Sequence, residues 1–87
     1  MTIGRGGAAH PVDIKIVSSV DVSREHARIR RDPQTRNFFL SDLSTLGTTL
    51  NEHHIPREPQ AETQLPDEAR IGLAETVYLN FSRVQGP

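Results

Sequence analysis

The 87-residue sequence predicts an all-β fold, a sandwich of short and mostly antiparallel strands. Apolar residues recur at every second position in several stretches, and turn-forming residues separate those stretches about every eight to twelve positions. No stretch of comparable length sustains a wide apolar stripe at helical spacing.

Val12 to Val17 alternates apolar and polar side chains, with Val12, Ile14 and Ile16 on one face of a half-buried strand. His26 to Arg30 repeats the pattern, Ala27 and Ile29 facing inward and Arg28 and Arg30 outward. A helix from Ser23 to Arg31 has a candidate cap in Ser23, but Val22, Ala27 and Ile29 make no useful stripe at a 3.6-residue period, which favours the strand. Asp32 to Asn37 carries turn chemistry, so Phe38 to Asp42 is expected to return as the second strand of a hairpin. Thr48 to Leu50 is short and β-prone. Pro56, Pro59 and Pro66 interrupt the polar segment that follows, and Glu52 to Asp67 reads mostly as loop. Ala69 to Leu73 and Thr76 to Ser82, divided by Ala74-Glu75, are the final two strands, with Val77, Leu79 and Phe81 on one face.

A chain of this length makes one domain, residues 1–87, with a single thin core. Cysteine is absent, which rules out a disulfide framework and thiolate zinc sites. No apolar run reaches the roughly 18–20 residues needed to cross a bilayer, and Met1 to Arg5 lacks the layout of a secretory signal; a soluble, cytoplasmic protein is expected, with no membrane partner. A net charge of −1 argues against binding driven by neutralising a nucleic-acid backbone. Arg24, Arg28, Arg30, Arg31 and Arg36 cluster, and their plain reading is a solvated strand face.

The candidate functional residues lie in three separated loops: Gly4-Arg5, Ser23 to His26, and Ser44 to Thr48. Arginine offers a planar fork of donors suited to tetrahedral oxyanions, and serine and threonine hydroxyls add donors without bulk or charge. Brought together, these loops would form a local phosphate-reading surface. A hydrolase built on Ser23, His26 and Asp42 is the competing chemistry, but no glycine-flanked nucleophile elbow accompanies them. His53 and His54 are neighbours that point to opposite faces of a strand, with His10 far off in sequence, so no metal site is expected.

The order Ile3-Gly4-Arg5, Ser23-Arg24-Glu25-His26-Ala27, then Leu40 to Asn51 closely resembles the forkhead-associated (FHA) domain. The resemblance runs from about Ile3 to Phe81 and implies a non-catalytic, cofactor-free β-sandwich that binds phosphothreonine in partner proteins through loops at one end. It implies that Arg5 and Ser23 contact the phosphate, that Thr45 adds a hydroxyl or backbone donor, and that Arg24 flanks the peptide. Leu46 and Asp21 fall in the peptide-facing loops. Gly4, His26, Gly47 and Asn51 would brace the loops.

Departures from the family pattern bear on function. Leu46 stands where the family usually has an asparagine that holds the peptide backbone, which opens the alternative of an FHA-fold interaction module that no longer reads phosphate. Glu52 replaces the glycine that commonly follows Asn51. Only Met1-Thr2 precede Ile3, so the sandwich is expected to lack the usual first strand or strands; the uncovered edge predicts self-association. Asp21, in turn, is expected to disfavour acidic residues downstream of the phosphothreonine.

Overall fold

The computed structural model describes residues 1–17, 20–58 and 60–83; Pro59 lies outside them. Among the described residues nine strands follow in chain order: β1 (Thr2–Gly4), β2 (Ile14–Lys15), β3 (Ala27–Arg31), β4 (Phe38–Asp42), β5 (Thr48–Leu50), β6 (His53–His54), β7 (Thr63–Gln64), β8 (Glu68–Leu73) and β9 (Val77–Ser82). Helix is absent among the described residues. One sheet has the order β2-β1-β3-β4-β7 and the other β6-β5-β8-β9. Apart from the parallel β1–β2 pair, every pairing among the described residues is antiparallel.

Alternation decides which side chains meet between the sheets. Ile3, Ala27, Ile29 and Leu40 from the first sheet face Ala69, Ile71 and Leu73 from the second, with Val22, Ile55 and Leu65 closing the core from loops. Strand β9 alternates half-buried and exposed positions along its whole length, with Val77, Leu79 and Phe81 packed against the core. At one end Phe38 and Phe81 meet edge-on, ring centroids 5.4 Å apart, tying β4 of one sheet to β9 of the other.

Some strands differ in extent from the sequence expectation. The expected Val12–Val17 strand pairs only at Ile14 and Lys15, because its partner β1 is three residues long, although burial alternates as far as Ile16. The polar segment Glu52–Asp67 is mostly loop, interrupted by the two-residue strands β6 and β7, each annealed to a sheet edge.

Asp32 and Asn37 close the β3–β4 turn through Asp32 N–H to Asn37 C=O (2.8 Å), and the Asp32 carboxylate accepts the Gln34 N–H (2.9 Å). The β5–β6 turn is more strained. Asn51 and Glu52 both take left-handed backbone, φ 49° and 73°. Asparagine tolerates that region and glutamate does so at a cost. Replacing Glu52 with Gly is expected to raise stability by about 0.5–1 kcal/mol, read as a higher urea midpoint at unchanged slope.

Candidate functional site

The loop cluster begins with a close backbone approach at Gly4. A Cβ built there would lie 2.2 Å from the Arg24 carbonyl oxygen and 2.8 Å from that of Ser23, so only glycine lets the β1 end lie against the loop preceding β3. That approach is what aligns the hydrogen bonds that follow. Arg5 N–H donates to Ser23 C=O (2.9 Å), and Gly6 N–H to Arg24 C=O (2.9 Å). The Arg5 Nε–H donates to Val22 C=O (2.6 Å), which fixes the guanidinium plane and does not require the fork's two amino groups.

Ser23 then joins the second loop to the third. Its Oγ accepts the Thr45 N–H at 3.1 Å, an arrangement that leaves the hydroxyl proton of Ser23 to be donated elsewhere. His26 locks the same two loops from beneath. The ring is fully buried; Nδ1 accepts the Ser23 N–H (3.0 Å), which assigns the proton to Nε2, and Nε2–H donates to Gly47 C=O (2.8 Å). Gly47 adopts φ 102°, a backbone that side chains rarely enter. Burial holds the His26 imidazole below its ordinary pKa, against the opposing pulls of the Gly47 carbonyl and the Asp42 charge.

Asp42, at the end of β4, organises the third loop. Its buried Oδ1 accepts from Ser44 N–H (3.0 Å), Ser44 Oγ–H (2.6 Å) and Thr48 Oγ1–H (2.8 Å). Ser44 Oγ in turn accepts the Gly47 N–H (2.7 Å), so the Ser44–Gly47 turn is wound around one carboxylate oxygen. The other oxygen, Oδ2, is buried without a hydrogen bond and faces Arg57 Nε at 3.7 Å. Arg57 also donates through Nη2 to the Thr45 carbonyl. It therefore ties the third loop down from outside and offsets the buried Asp42 charge.

Sequence reading missed Arg57. It lies twelve positions beyond Thr45 in a proline-bearing loop, and nothing local links the two. The one available signal was a lone arginine beside prolines with no acidic neighbour at helical spacing. Replacing Arg57 with Ala is expected to lower Tm, since it leaves the buried Asp42 Oδ2 without its counter-ion and frees the Thr45 carbonyl. Thermal melts of the wild type and the variant check this.

The remaining sequence-predicted residues divide. Arg5, Ser23, Thr45, Gly4, His26 and Gly47 are joined by the hydrogen bonds and close contact above. Arg24 is exposed beside the first loop, its Cδ 4.0 Å from the position of a Cβ on Gly7. Leu46 is 53% exposed at the tip of the third loop. Asp21 is exposed in the loop before Ser23. Asn51 stands apart from the cluster: it braces the β5–β6 turn against β8, its N–H donating to Arg70 C=O (2.9 Å) and its Oδ1 accepting Arg70 N–H (2.9 Å).

The protein comparisons fall on this same frame. A profile of the FHA domain matches residues 1–74. No curated protein matches. Among solved structures, an FHA domain studied for phosphothreonine-dependent FHA domain interactions is 32% identical (TM-score 0.72), the alignment covering 99% of this chain and 77% of that one. The N-terminal FHA domain of Saccharomyces cerevisiae Rad53p, in complex with a phosphothreonine peptide, is 25% identical (TM-score 0.74), with 94% and 66% covered. Mycobacterium tuberculosis EmbR, in complex with a low-affinity phosphopeptide, is 26% identical (TM-score 0.69), with 99% of this chain but only 21% of EmbR covered. With a two-sheet, mostly antiparallel architecture, loops joined as described and a profile match over most of its length, the chain belongs to the FHA domain family.

Proposed function

We propose that the loop cluster captures a phosphothreonine-bearing segment of a partner protein and performs no chemistry on it. The observation that carries the reading is the junction at Ser23: its carbonyl holds the Arg5 N–H while its hydroxyl holds the Thr45 N–H, so the loops that carry Arg5, Ser23 and Thr45 meet at one point. A similar FHA domain solved with a phosphothreonine peptide, and another studied for phosphothreonine-dependent interactions, support it. At neutral pH a phosphothreonine carries about −1.5 to −2 charges, and each charge-assisted hydrogen bond to it is worth roughly 1.5–3 kcal/mol. His26 is poorly placed to act as a base on Ser23, because both ring nitrogens are committed to backbone groups. The domain then serves as an adaptor whose complexes form when a kinase adds the mark and dissolve when it is removed.

A second reading, an FHA-fold interaction module without phosphate recognition, has one observation in its favour, the exposed Leu46 where relatives usually place an asparagine. Titrating one peptide in its phosphothreonine, phosphoserine and threonine forms separates the two. Phosphate recognition requires the unphosphorylated form to bind far more weakly than either phosphorylated form. Phosphothreonine should exceed phosphoserine by about fourfold if one buried methyl makes the difference. Equal affinity for all three selects the second reading.

A further inference from the structure

We infer that Glu75 reads a basic side chain of the bound segment, so that the site selects a phosphothreonine with a lysine or arginine within about four residues of it. The inference rests on the phosphopeptide reading and adds a further element to it, the turn between β8 and β9.

That turn is built onto the third loop. Ala74 N–H donates to Gly47 C=O (3.0 Å), the same carbonyl that accepts from His26 Nε2–H (2.8 Å). Thr76 N–H closes the turn on Leu73 C=O (3.1 Å), and the two residues between them, Ala74 and Glu75, both take left-handed backbone at φ 55°. Two successive residues other than glycine occupy that region at a cost, and such strain gathers where a structure presents a side chain for use. The bond to Gly47 and the β8–β9 ladder hold them there, which fixes Glu75 at the flank of the third loop.

His54 approaches the same flank from β6. Its Nε2 lies 3.5 Å from the Glu75 carboxylate, and its Nδ1 lies 3.5 Å from where a Cβ on Gly47 would be. Glu75 nevertheless keeps 67% of its side chain exposed, which leaves room for a second partner.

Charge is unevenly spread over the cluster. Arg5 and the exposed Arg24 belong to the first and second loops. On the third loop's side, the Arg57 guanidinium is matched by the buried Asp42 carboxylate at 3.7 Å, whereas the Glu75 carboxylate faces an imidazole alone among the ion pairs of the described residues. A segment lying across both flanks would therefore set its phosphate on the arginines and a cation on Glu75, and an acidic residue in the second place would meet a like charge. The reach is short. Ser23 Oγ is 3.1 Å from Thr45 N, two residues lead from Thr45 to Gly47, and Gly47 C=O is 3.0 Å from Ala74 N. That path spans at most about 14 Å, which an extended chain rising about 3.3 Å per residue covers in about four residues.

The test uses a phosphothreonine peptide with alanine at its flanking positions, and versions carrying one lysine or one glutamate at each of the four positions on either side. Titrated at low salt, one position should show lysine binding about two- to fivefold more tightly than alanine and glutamate more weakly than alanine, with the difference shrinking at high salt. Glu75→Gln should abolish that preference while binding the alanine peptide within about twofold of the wild type, and Glu75→Lys should transfer the preference to glutamate. Asp21→Asn, which removes a carboxylate from the loop before Ser23, should retain the lysine preference. Phosphate-dependent binding with no lysine preference at any position overturns this inference and leaves the phosphopeptide reading standing, as does a preference that survives Glu75→Gln. Equal binding of the phosphorylated and plain peptides overturns both.

Discussion

Replacing Arg5 with Ala is expected to lower the affinity for a phosphothreonine peptide by at least about a hundredfold while leaving the unphosphorylated peptide's affinity where it was. The guanidinium is oriented by its own Nε–H bond to Val22, so its amino groups are presented without an entropic search. Loss of two charge-assisted bonds at roughly 1.5–3 kcal/mol each supports a change of that size. The fold should survive, because the backbone bonds from Arg5 to Ser23 and Gly6 to Arg24 do not involve the removed side chain. Lysine at the same position keeps the charge but loses the fork and the Nε bond, and should recover only a small part of the affinity. Calorimetric titration with matched phosphorylated and plain peptides reads the effect, and an equal loss for both peptides would show that Arg5 acts on loop structure alone.

Replacing His26 with Ala is expected to be the most destabilising single change at the site, costing about 3 kcal/mol. The ring is wholly buried, and its removal leaves the Ser23 N–H and the Gly47 C=O without partners on two different loops. A domain of this size has a total stability of about 5–10 kcal/mol, so the loss is a large fraction of it. The pH dependence follows from the same geometry. Protonation would put a proton on Nδ1, where the Ser23 N–H must be accepted, and burial already holds the folded pKa below the unfolded one. The unfolded chain therefore binds this proton more readily, so stability is full above about pH 6.5–7 and declines as pH falls from there toward the folded pKa. Urea unfolding at several pH values, compared between wild type and the alanine variant, isolates this contribution: the wild type should lose more stability on acidification than the variant does.

The fold was legible in the sequence wherever one face of a strand is buried and the other wet. Ala27 and Ile29 on β3, and Val77, Leu79 and Phe81 on β9, alternate in the sequence as they do in space. Strand extents were less legible, since pairing depends on a partner's length: the alternation from Val12 to Val17 continues past the two residues that β1 can engage. In the loop cluster, Gly4, Ser23, His26 and Gly47 were singled out through the FHA resemblance, and the contacts they make are backbone geometry that a motif alone does not state. Gly4 is needed for a carbonyl 2.2 Å from where its Cβ would be, and His26 for a bridge between two loops. The loop-holding roles of Asp42 and Arg57 escaped notice because they lie in contacts made across the fold. A buried carboxylate winding a turn resembles any strand-end aspartate, and an arginine twelve positions away carries no mark of the loop it holds.

The account rests on three loops acting together on one phosphate, and amide chemical shifts of the 15N-labelled chain test this most directly. Adding a phosphothreonine peptide should move the amides of Arg5, Ser23, Arg24 and Thr45 to Gly47 in a single saturable process, and the unphosphorylated peptide should leave them in place. Shifts confined to β8 and β9, or the same shifts with both peptides, would contradict it.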